Sequence, residues 1–225
     1  MNTASNFSGA VLFDMDGTLT DTEKIWWEAE QKVCARAGYE LKVEEAKMSI
    51  GKSLPEAARQ IVEYTGIDMT PAEYETELTQ LVAQIAAEEG LPWRPGAFEL
   101  LTCLVEMGIP SALVTSSYHS FARHALRRAP QGSLEVIVSG DMPIRGKPQP
   151  DPYLEAAHLL GVDIHNCLAF EDSIPGLYAA FQSGARTFAV PFMVELPRLP
   201  GVRFLKSLQE VDADFLQQEF ADLIP

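Results

Sequence analysis

The stretch "AVLFDMDGTLTDTE", residues 10–23, passes from an apolar run into two aspartates, Asp14 and Asp16, which are followed at once by Gly17. Carboxylates this close repel each other, and at the end of a buried strand they also lose hydration. The arrangement costs free energy unless a cation or a proton lies between them. Gly17 permits a turn sharp enough for both aspartates to face one pocket. The stretch therefore predicts a buried strand that ends in a polar site.

Four further apolar runs resemble the first, and each ends in polar or small residues before a helical pattern. The five runs are residues 9–13, 110–114, 134–138, 166–170 and 186–190. This alternation predicts an α/β fold with a Rossmann-like parallel sheet, because strands covered on both faces read as continuous apolar runs. Ligands of such folds collect beyond the carboxyl ends of the strands.

The interval from residue 20 to 92 interrupts this alternation with helical patterns alone. Its clearest helix covers residues 71–89, with Thr70 as N-cap and Pro71 at the first helical position. About 70 residues is too long for a simple connection, so we expect an inserted helical domain. The predicted domains are a core of residues 1–19 and 93–225 and a helical cap of residues 20–92, joined by linkers at 19–22 and 90–96. Asp21, in the first linker, is predicted to be a helix N-cap or a hinge residue.

The charge of the chain argues against polyanionic partners. Seventeen Lys and Arg residues stand against 32 Asp and Glu residues, a net charge of −15. Such a chain repels nucleic acid, although a local cation can still attract a small anionic substrate.

Cysteine use and hydropathy predict a soluble, cytoplasmic protein. The three cysteines are far apart and lie in apolar segments, which is typical of reduced core residues. The N-terminus has no basic leader, and no stretch approaches the roughly 18 apolar residues of a membrane span.

Polar groups follow the strand ends in an order that suits phosphoryl chemistry. Asp14 and Asp16 come first, then Thr115, then Lys147, and then the pair Glu171–Asp172. Carboxylates are the ligands that Mg²⁺ prefers, and a hydroxyl and an ammonium suit the oxygens of a phosphoryl group. Each group taken alone has an ordinary alternative, because it could form a turn, cap a helix or be a solvated lysine.

Four ordered segments resemble the motifs of the haloacid dehalogenase superfamily. "FDMDGTLTDTE" resembles motif I, "LVTSS" motif II, "GKPQPDPY" motif III and "LAFEDSIPGLYAA" motif IV. The helical insertion after motif I is similar to the small cap of the branch with phosphoglycolate phosphatases, sugar phosphatases and β-phosphoglucomutase. The resemblance covers nearly the whole chain.

The resemblance implies a Mg²⁺-dependent phosphatase that forms an aspartyl-phosphate. Asp14 is implied as the nucleophile and Asp16 as the general acid and base. The implied metal ligands are the carboxylates of Asp14 and Asp172, the backbone carbonyl of Asp16, and Glu171 directly or through water.

The resemblance also implies the groups that hold the phosphoryl oxygens. Thr115 and Lys147 would donate from their side chains, and Met15 and Ser116 from their backbone N–H groups. Asp16 favours cleavage of a P–O bond, since dehalogenases and phosphonoacetaldehyde hydrolases lack a carboxylate there.

Two alternatives stay open at this point. A β-phosphoglucomutase-like transferase also keeps both aspartates, but this chain has Trp26 where the mutases carry a cap histidine, and Leu54 or its neighbours where an arginine follows the cap glycine, Gly51. A catalytically silent binding protein of this fold would usually have lost the nucleophile, a metal ligand or Lys147, and none of these is missing.

The cap is expected to set substrate choice by closing over the bound phosphate. Trp26, Trp27 and Lys52 are the predicted specificity residues, and they suit a compact sugar or polyol phosphate. Each also has an ordinary interpretation, as a core tryptophan or a solvated lysine. Because the cap must move, we expect a monomer.

Overall fold

A computed structural model describes residues 8–49 and 52–223 of the chain. Six parallel strands form one sheet in the order β3-β2-β1-β4-β5-β6. The strands are β1 Val11–Phe13, β2 Ser111–Val114, β3 Val136–Val138, β4 Leu168–Glu171, β5 Arg186–Ala189 and β6 Arg203–Phe204. The predicted α/β class is confirmed, and the first five strands lie within a residue of the predicted runs or inside them. The two-residue edge strand β6 was not predicted.

Helices connect and cover the strands. They are α1 Glu23–Arg36, α2 Val43–Ala46, α3 Leu54–Thr65, α4 Pro71–Glu89, α5 Ala97–Met107, α6 His119–Leu126, α7 Asp151–Leu160, α8 Ile174–Ser183 and α9 Ala213–Ala221. Helix α4 has the predicted bounds, and the Thr70 hydroxyl accepts the predicted capping bond from the N–H of Glu73. The one-turn helix α2 had no separate prediction.

The central strand is buried on both faces. Val11 and Phe13 belong to one apolar cluster and Leu12 to the other, and all three side chains are fully buried. Alternate residues of a strand point to opposite faces, so an unbroken apolar run is required here. Asp14, the next residue, therefore emerges at the carboxyl end of a strand that is fixed from both sides.

Helices α1 to α4 all lie between β1 and α5 in the chain. The segments that lead out to them and back run side by side, because the Asp21 N–H donates to the Pro92 carbonyl at 2.9 Å and the Arg94 N–H to the Leu19 carbonyl at 2.8 Å. Apolar residues of α1 and α4 join the same cluster as Phe13. The helical insertion therefore begins and ends at one place beside the sheet edge.

Two smaller expectations have clear outcomes. Asp21 was expected to cap or hinge the first helix, but Thr22 occupies the N-cap position of α1. All three cysteines are free thiols. Within the part of the chain that the structure describes, no helix combines the length and apolar character needed to cross a membrane.

Candidate active site

The predicted polar residues meet at the point where the strand order reverses. Asp14 follows β1, Thr115 follows β2, and Glu171 ends β4 on the other side of β1. Lys147 enters from the loop between β3 and α7. A switch point of this kind leaves a crevice at the carboxyl edge of the sheet.

Lys147 is held by three acceptors. Its ammonium donates to Asp14 Oδ1 at 2.7 Å, to Glu171 Oε1 at 2.6 Å and to the Val114 carbonyl at 2.9 Å. Burial alone would lower the pKa of Lys147, but the charges of Asp14 and Glu171 outweigh it and raise that pKa above its ordinary value. Lys147 is therefore a fixed cation, and it meets a phosphoryl oxygen only by giving up one of these acceptors.

The Asp14 carboxylate is strongly perturbed by its surroundings. Burial raises its pKa to about 7, the charges of Glu171 and Asp16 add to the rise, and Lys147 opposes it. Its Oδ2 atom is buried and has no hydrogen-bond partner among the described residues. A buried carboxylate oxygen without a donor is costly, so this atom is suited to a ligand.

The acidic cluster at this point fits a divalent cation. Carboxylate oxygens of Asp14, Glu171 and Asp172 lie within 4.8 Å of one another. Burial, followed by the charges of Asp14 and Glu171, raises the pKa of Asp172 well above its usual value. A cation beside the unpartnered Oδ2 of Asp14 would relieve both the repulsion and the missing hydrogen bond.

Glu171 is already well supplied with donors. Its Oε1 accepts from Lys147 and, at 2.6 Å, from the hydroxyl of Tyr153, while its Oε2 accepts from the Ser173 hydroxyl at 3.2 Å. Burial and the charges of Glu171 and Asp14 raise the pKa of Tyr153 well above its ordinary value, so the phenol stays a donor. Sequence reasoning missed Tyr153, although it ends the "GKPQPDPY" segment and faces the core from α7.

Asp16 accepts hydrogen bonds from two sides. Its Oδ1 accepts from Thr22 Oγ1 at 2.5 Å and from Trp26 Nε1 at 3.3 Å. Its Oδ2 accepts from Ser117 Oγ at 2.7 Å and from Thr115 Oγ1 at 3.2 Å. Thr115 thus binds Asp16 here rather than standing free for a phosphate. Ser117 was not predicted, since nothing in "LVTSS" distinguishes its hydroxyl from that of Ser116.

Two glycines make room for the carboxylates. Gly17 has a φ of +90°, and a Cβ there would lie 2.1 Å from Asp172 Oδ2. A Cβ on Gly176 would lie 1.9 Å from Glu171 Oε1. Any side chain at these positions would displace the acidic groups. The positive φ of Gly17 confirms the turn predicted there.

Two neighbouring residues after β4, Asp172 and Ser173, make different contacts. Ser173 caps α8, with its hydroxyl accepting from the Gly176 N–H at 3.1 Å. Asp172 points the other way and accepts from Thr18 Oγ1 at 3.2 Å. The helix-cap alternative therefore applies to Ser173, and Asp172 is left for the site.

A cavity of about 320 Å³ lies above these groups. Strand-end residues form its floor: Asp14, Asp16, Ser116, Ser117, Lys147 and Asp172. The helical insertion supplies the wall, where all three predicted specificity residues lie: Trp26, Trp27 and Lys52. Lys24, Lys47 and Leu54 also line it, and the two lysines were not predicted. Thr115, Glu171 and the Met15 side chain are buried beneath the lining, and Gly51 lies outside the described residues.

Comparison with known proteins gives a consistent result. A family model for haloacid dehalogenase-like hydrolases matches residues 11–190. The chain is 35% identical over 203 residues to hexitol phosphatase A of Escherichia coli, covering 89% of this chain and 91% of that one. It is 32% identical over 192 residues to the bifunctional riboflavin kinase/FMN phosphatase of Arabidopsis thaliana, covering 84% of this chain but only 50% of that longer protein. The crystal structure of CbbY from Rhodobacter sphaeroides in complex with phosphate superposes with a TM-score of 0.83 at 27% identity, covering 94% and 99% of the two chains.

Proposed function

The chain belongs to the haloacid dehalogenase-like hydrolases, and we propose that it is a phosphatase that hydrolyses a small phosphomonoester through an aspartyl-phosphate on Asp14. The observation that carries this proposal is the state of Asp14: one oxygen is held by Lys147 and the other is buried without a partner. One oxygen of the nucleophile is thus fixed, the other has no partner among the described residues, and the residue lines the cavity. Asp16, two residues on, lines the same cavity.

The proposed reaction has two steps. Asp14 attacks phosphorus, the bond to the leaving oxygen breaks, and Asp16 gives that oxygen a proton. Asp16 then takes a proton from water, the water oxygen attacks phosphorus, and inorganic phosphate leaves with Asp14 restored. Backbone N–H groups of Met15 and Ser116 are proposed to bind the phosphoryl oxygens. Thr115 and Lys147 would join them by exchanging a present partner.

The proposed cofactor is Mg²⁺. Asp14 and Asp172 would bind it through their carboxylates and Asp16 through its backbone carbonyl, while Glu171 would assist. When bound, a divalent cation neutralises the carboxylates and favours a phosphate dianion at this one place in an acidic chain. Lys147 supplies the other positive charge of the pocket.

The proposed substrate is a compact sugar or polyol phosphate. The wall offers two half-buried indoles and three lysines around a cavity of about 320 Å³. We further propose that residues 20–92 form a mobile cap on a core of residues 1–19 and 93–225, and that the protein is a cytoplasmic monomer. The paired linkers support the first of these proposals, and the three free thiols agree with a reducing compartment.

Two other functions receive less support. A β-phosphoglucomutase-like transfer is disfavoured on two counts. The wall has the indole of Trp26 where the mutases carry a histidine, and Leu54 or its neighbours stand where an arginine follows the cap glycine in the mutases. A silent binding protein is disfavoured because the nucleophile, the acidic cluster and the lysine are all present and in contact.

Hydrolysis assays test the proposal. Wild-type protein should release phosphate from p-nitrophenyl phosphate and from members of a sugar and polyol phosphate panel when Mg²⁺ is present. Excess chelator should abolish turnover, Mg²⁺ should restore it, and Asp14→Asn should lose about a thousandfold or more. Full turnover in excess chelator would overturn the metal-dependent mechanism. A wild-type protein as inert as Asp14→Asn across the panel would favour the binding-protein alternative.

A further inference from the structure

The side chain of Asp16 joins the two sides of the cavity. One carboxylate oxygen accepts from Ser117 Oγ and Thr115 Oγ1, both on the loop after β2. The other accepts from Thr22, at the N-cap position of α1, and from the indole N–H of Trp26, one turn further along α1. The orientation of this carboxylate therefore depends on where α1 lies relative to the sheet edge.

Two separate contacts fix Trp26 in this position. Its Nε1 lies 3.3 Å from Asp16 Oδ1, and its ring meets that of Phe121, on α6, edge to face with centroids 5.4 Å apart. It is half-buried and also lines the cavity. An indole N–H can only donate, so Trp26 holds an acceptor oxygen of Asp16 and does not compete for its proton.

We propose that Trp26 is a positioning residue for Asp16, in addition to forming part of the cavity wall. The inference rests on the proposed phosphatase function. A general acid must lie within hydrogen-bond reach of the leaving oxygen, and its contribution falls when its carboxyl group turns away. Trp26 and Thr22 hold one oxygen of that group from the helical side. Trp26 also lines the cavity, so a leaving group can contact its indole. The same side chain would then align the leaving group with Asp16, the residue that protonates the leaving oxygen.

The inference predicts that loss of the indole N–H affects substrates unequally. The leaving group of an alkyl phosphate is a strongly basic alkoxide, which needs a proton from Asp16. The leaving group of p-nitrophenyl phosphate is p-nitrophenolate, which is stable without a proton. The parameter kcat/KM reports steps up to the first irreversible one, here formation of the aspartyl-phosphate, so activation of water by Asp16 does not enter it. Trp26→Phe keeps an aromatic ring for Phe121 and removes only the donor and part of the ring.

The first experiment compares two variants on two substrates. Trp26→Phe should lower kcat/KM about tenfold for a polyol or sugar phosphate that the wild type hydrolyses, and less than about twofold for p-nitrophenyl phosphate. Trp27→Phe is the matched control, because Trp27 lies on the same helix and lines the same cavity but has no described contact with Asp16. Trp27→Phe changes the wall without removing a donor to Asp16, so any loss that it causes should persist in an Asp16→Ala background. Equal losses on both substrates in Trp26→Phe would overturn the inference.

A double-mutant cycle separates positioning from packing. In an Asp16→Ala background there is no carboxylate to orient, so adding Trp26→Phe should cost far less than the tenfold expected in the wild-type background, and the remainder reflects the wall contact alone. Independent, multiplicative losses would overturn the inference. Thermal unfolding of each variant checks that the chain is folded.

These outcomes are distinct from failure of the proposed function. If wild-type protein hydrolyses neither substrate with Mg²⁺, the phosphatase proposal falls, and the inference falls with it. If the wild type hydrolyses both substrates and Trp26→Phe leaves their ratio unchanged, only the role of Trp26 is rejected.

Discussion

The floor and the wall of the cavity hold their charged groups in opposite ways. On the floor, the Lys147 side chain is 4% exposed and in contact with two carboxylates. On the wall, Lys24 and Lys47 are exposed, and neither has a carboxylate partner among the described residues, while Lys52 donates to Gln60. Buried groups with several fixed partners are rigid, and exposed groups without partners can adapt. On the proposed function, the sheet edge fixes the nucleophile and its cation, while the helical side adds adaptable groups around the leaving group and two donors to Asp16.

Removing the floor cation should have the largest effect and could break this comparison. Lys147→Met keeps the length of the side chain but leaves Asp14 and Glu171 buried without their shared donor. We expect kcat/KM to fall by about a thousandfold and the free energy of unfolding of metal-free protein to fall by about 3–5 kcal/mol. Steady-state kinetics and urea denaturation measure the two effects.

The wall provides the control for that variant. Lys52→Met removes a lysine from the same cavity, but its ammonium is bonded to a neutral amide rather than to buried carboxylates. It should change KM for some substrates by less than about tenfold and affect stability by no more than about 0.5 kcal/mol. If Lys52→Met lost as much activity and stability as Lys147→Met, the distinction between floor and wall would be wrong.

A second prediction concerns the pH dependence of stability in metal-free protein. Burial, with the charges of Glu171 and Asp16, raises the pKa of Asp14 from 3.8 to about 7 in the folded chain. Between these values the folded chain keeps a proton that the unfolded chain has lost. The free energy of unfolding should therefore fall as the pH rises from about 4 to about 7. Urea denaturation in the presence of chelator, repeated across this range, measures the slope.

Two comparisons sharpen the pH experiment. Asp14→Asn removes the titrating group, and it also removes a charge that raises the pKa of Asp172, so its slope should be shallower. Added Mg²⁺ should flatten the wild-type slope, because a cation stabilises the ionised carboxylates. A metal-free wild type whose stability rises with pH over this range, or whose slope equals that of Asp14→Asn, would show that these carboxylates are not destabilised by burial.

The same contrast explains which parts of the fold could be predicted from sequence. Helix α4 was predicted with its correct bounds because Thr70, Pro71 and Gly90 carry local start and stop chemistry. The edge strand Arg203–Phe204 and the one-turn helix Val43–Ala46 were missed, because two and four residues are too few to show a periodic pattern. Asp21 was predicted as a helix N-cap or a hinge residue; the N-cap position belongs to its neighbour Thr22, and the hinge role stays a prediction.

Within the site, the resemblance identified residues, and the structure supplied their partners. The motifs singled out Asp14, Asp16, Lys147 and Asp172, all of which line the cavity. The roles of Ser117 and Tyr153 depend on contacts between distant segments, such as the bond from the Tyr153 hydroxyl to Glu171, and no local pattern encodes these. Lys24 and Lys47 of the wall were missed because a solvated lysine and a cavity lysine look alike in sequence.

The smallest predicted effect tests the helical side of the comparison alone. Thr70 and Glu73 form a reciprocal cap at the start of α4, because the Thr70 hydroxyl accepts from the Glu73 N–H at 3.2 Å and the Glu73 carboxylate accepts from the Thr70 N–H at 2.8 Å. Thr70→Ala should lower the free energy of unfolding by about 1 kcal/mol, or the melting temperature by about 2–4 °C. Thr76→Ala is the matched control, since Thr76 lies on the same helix and its hydroxyl bonds only the Ala72 carbonyl.

The kinetic result of Thr70→Ala decides what the stability result means. Thr70 and Glu73 lie outside the cavity lining, and the sheet holds the floor. We therefore expect kcat at 25 °C to stay within about twofold of the wild-type value while stability falls. Thr76→Ala should leave kcat unchanged and should not lower stability, because Ala is the better helix former. If Thr70→Ala lowered kcat strongly without lowering stability, the start of α4 would be coupled directly to the floor of the cavity, and contacts other than those of Asp16 would have to join the helices to the floor.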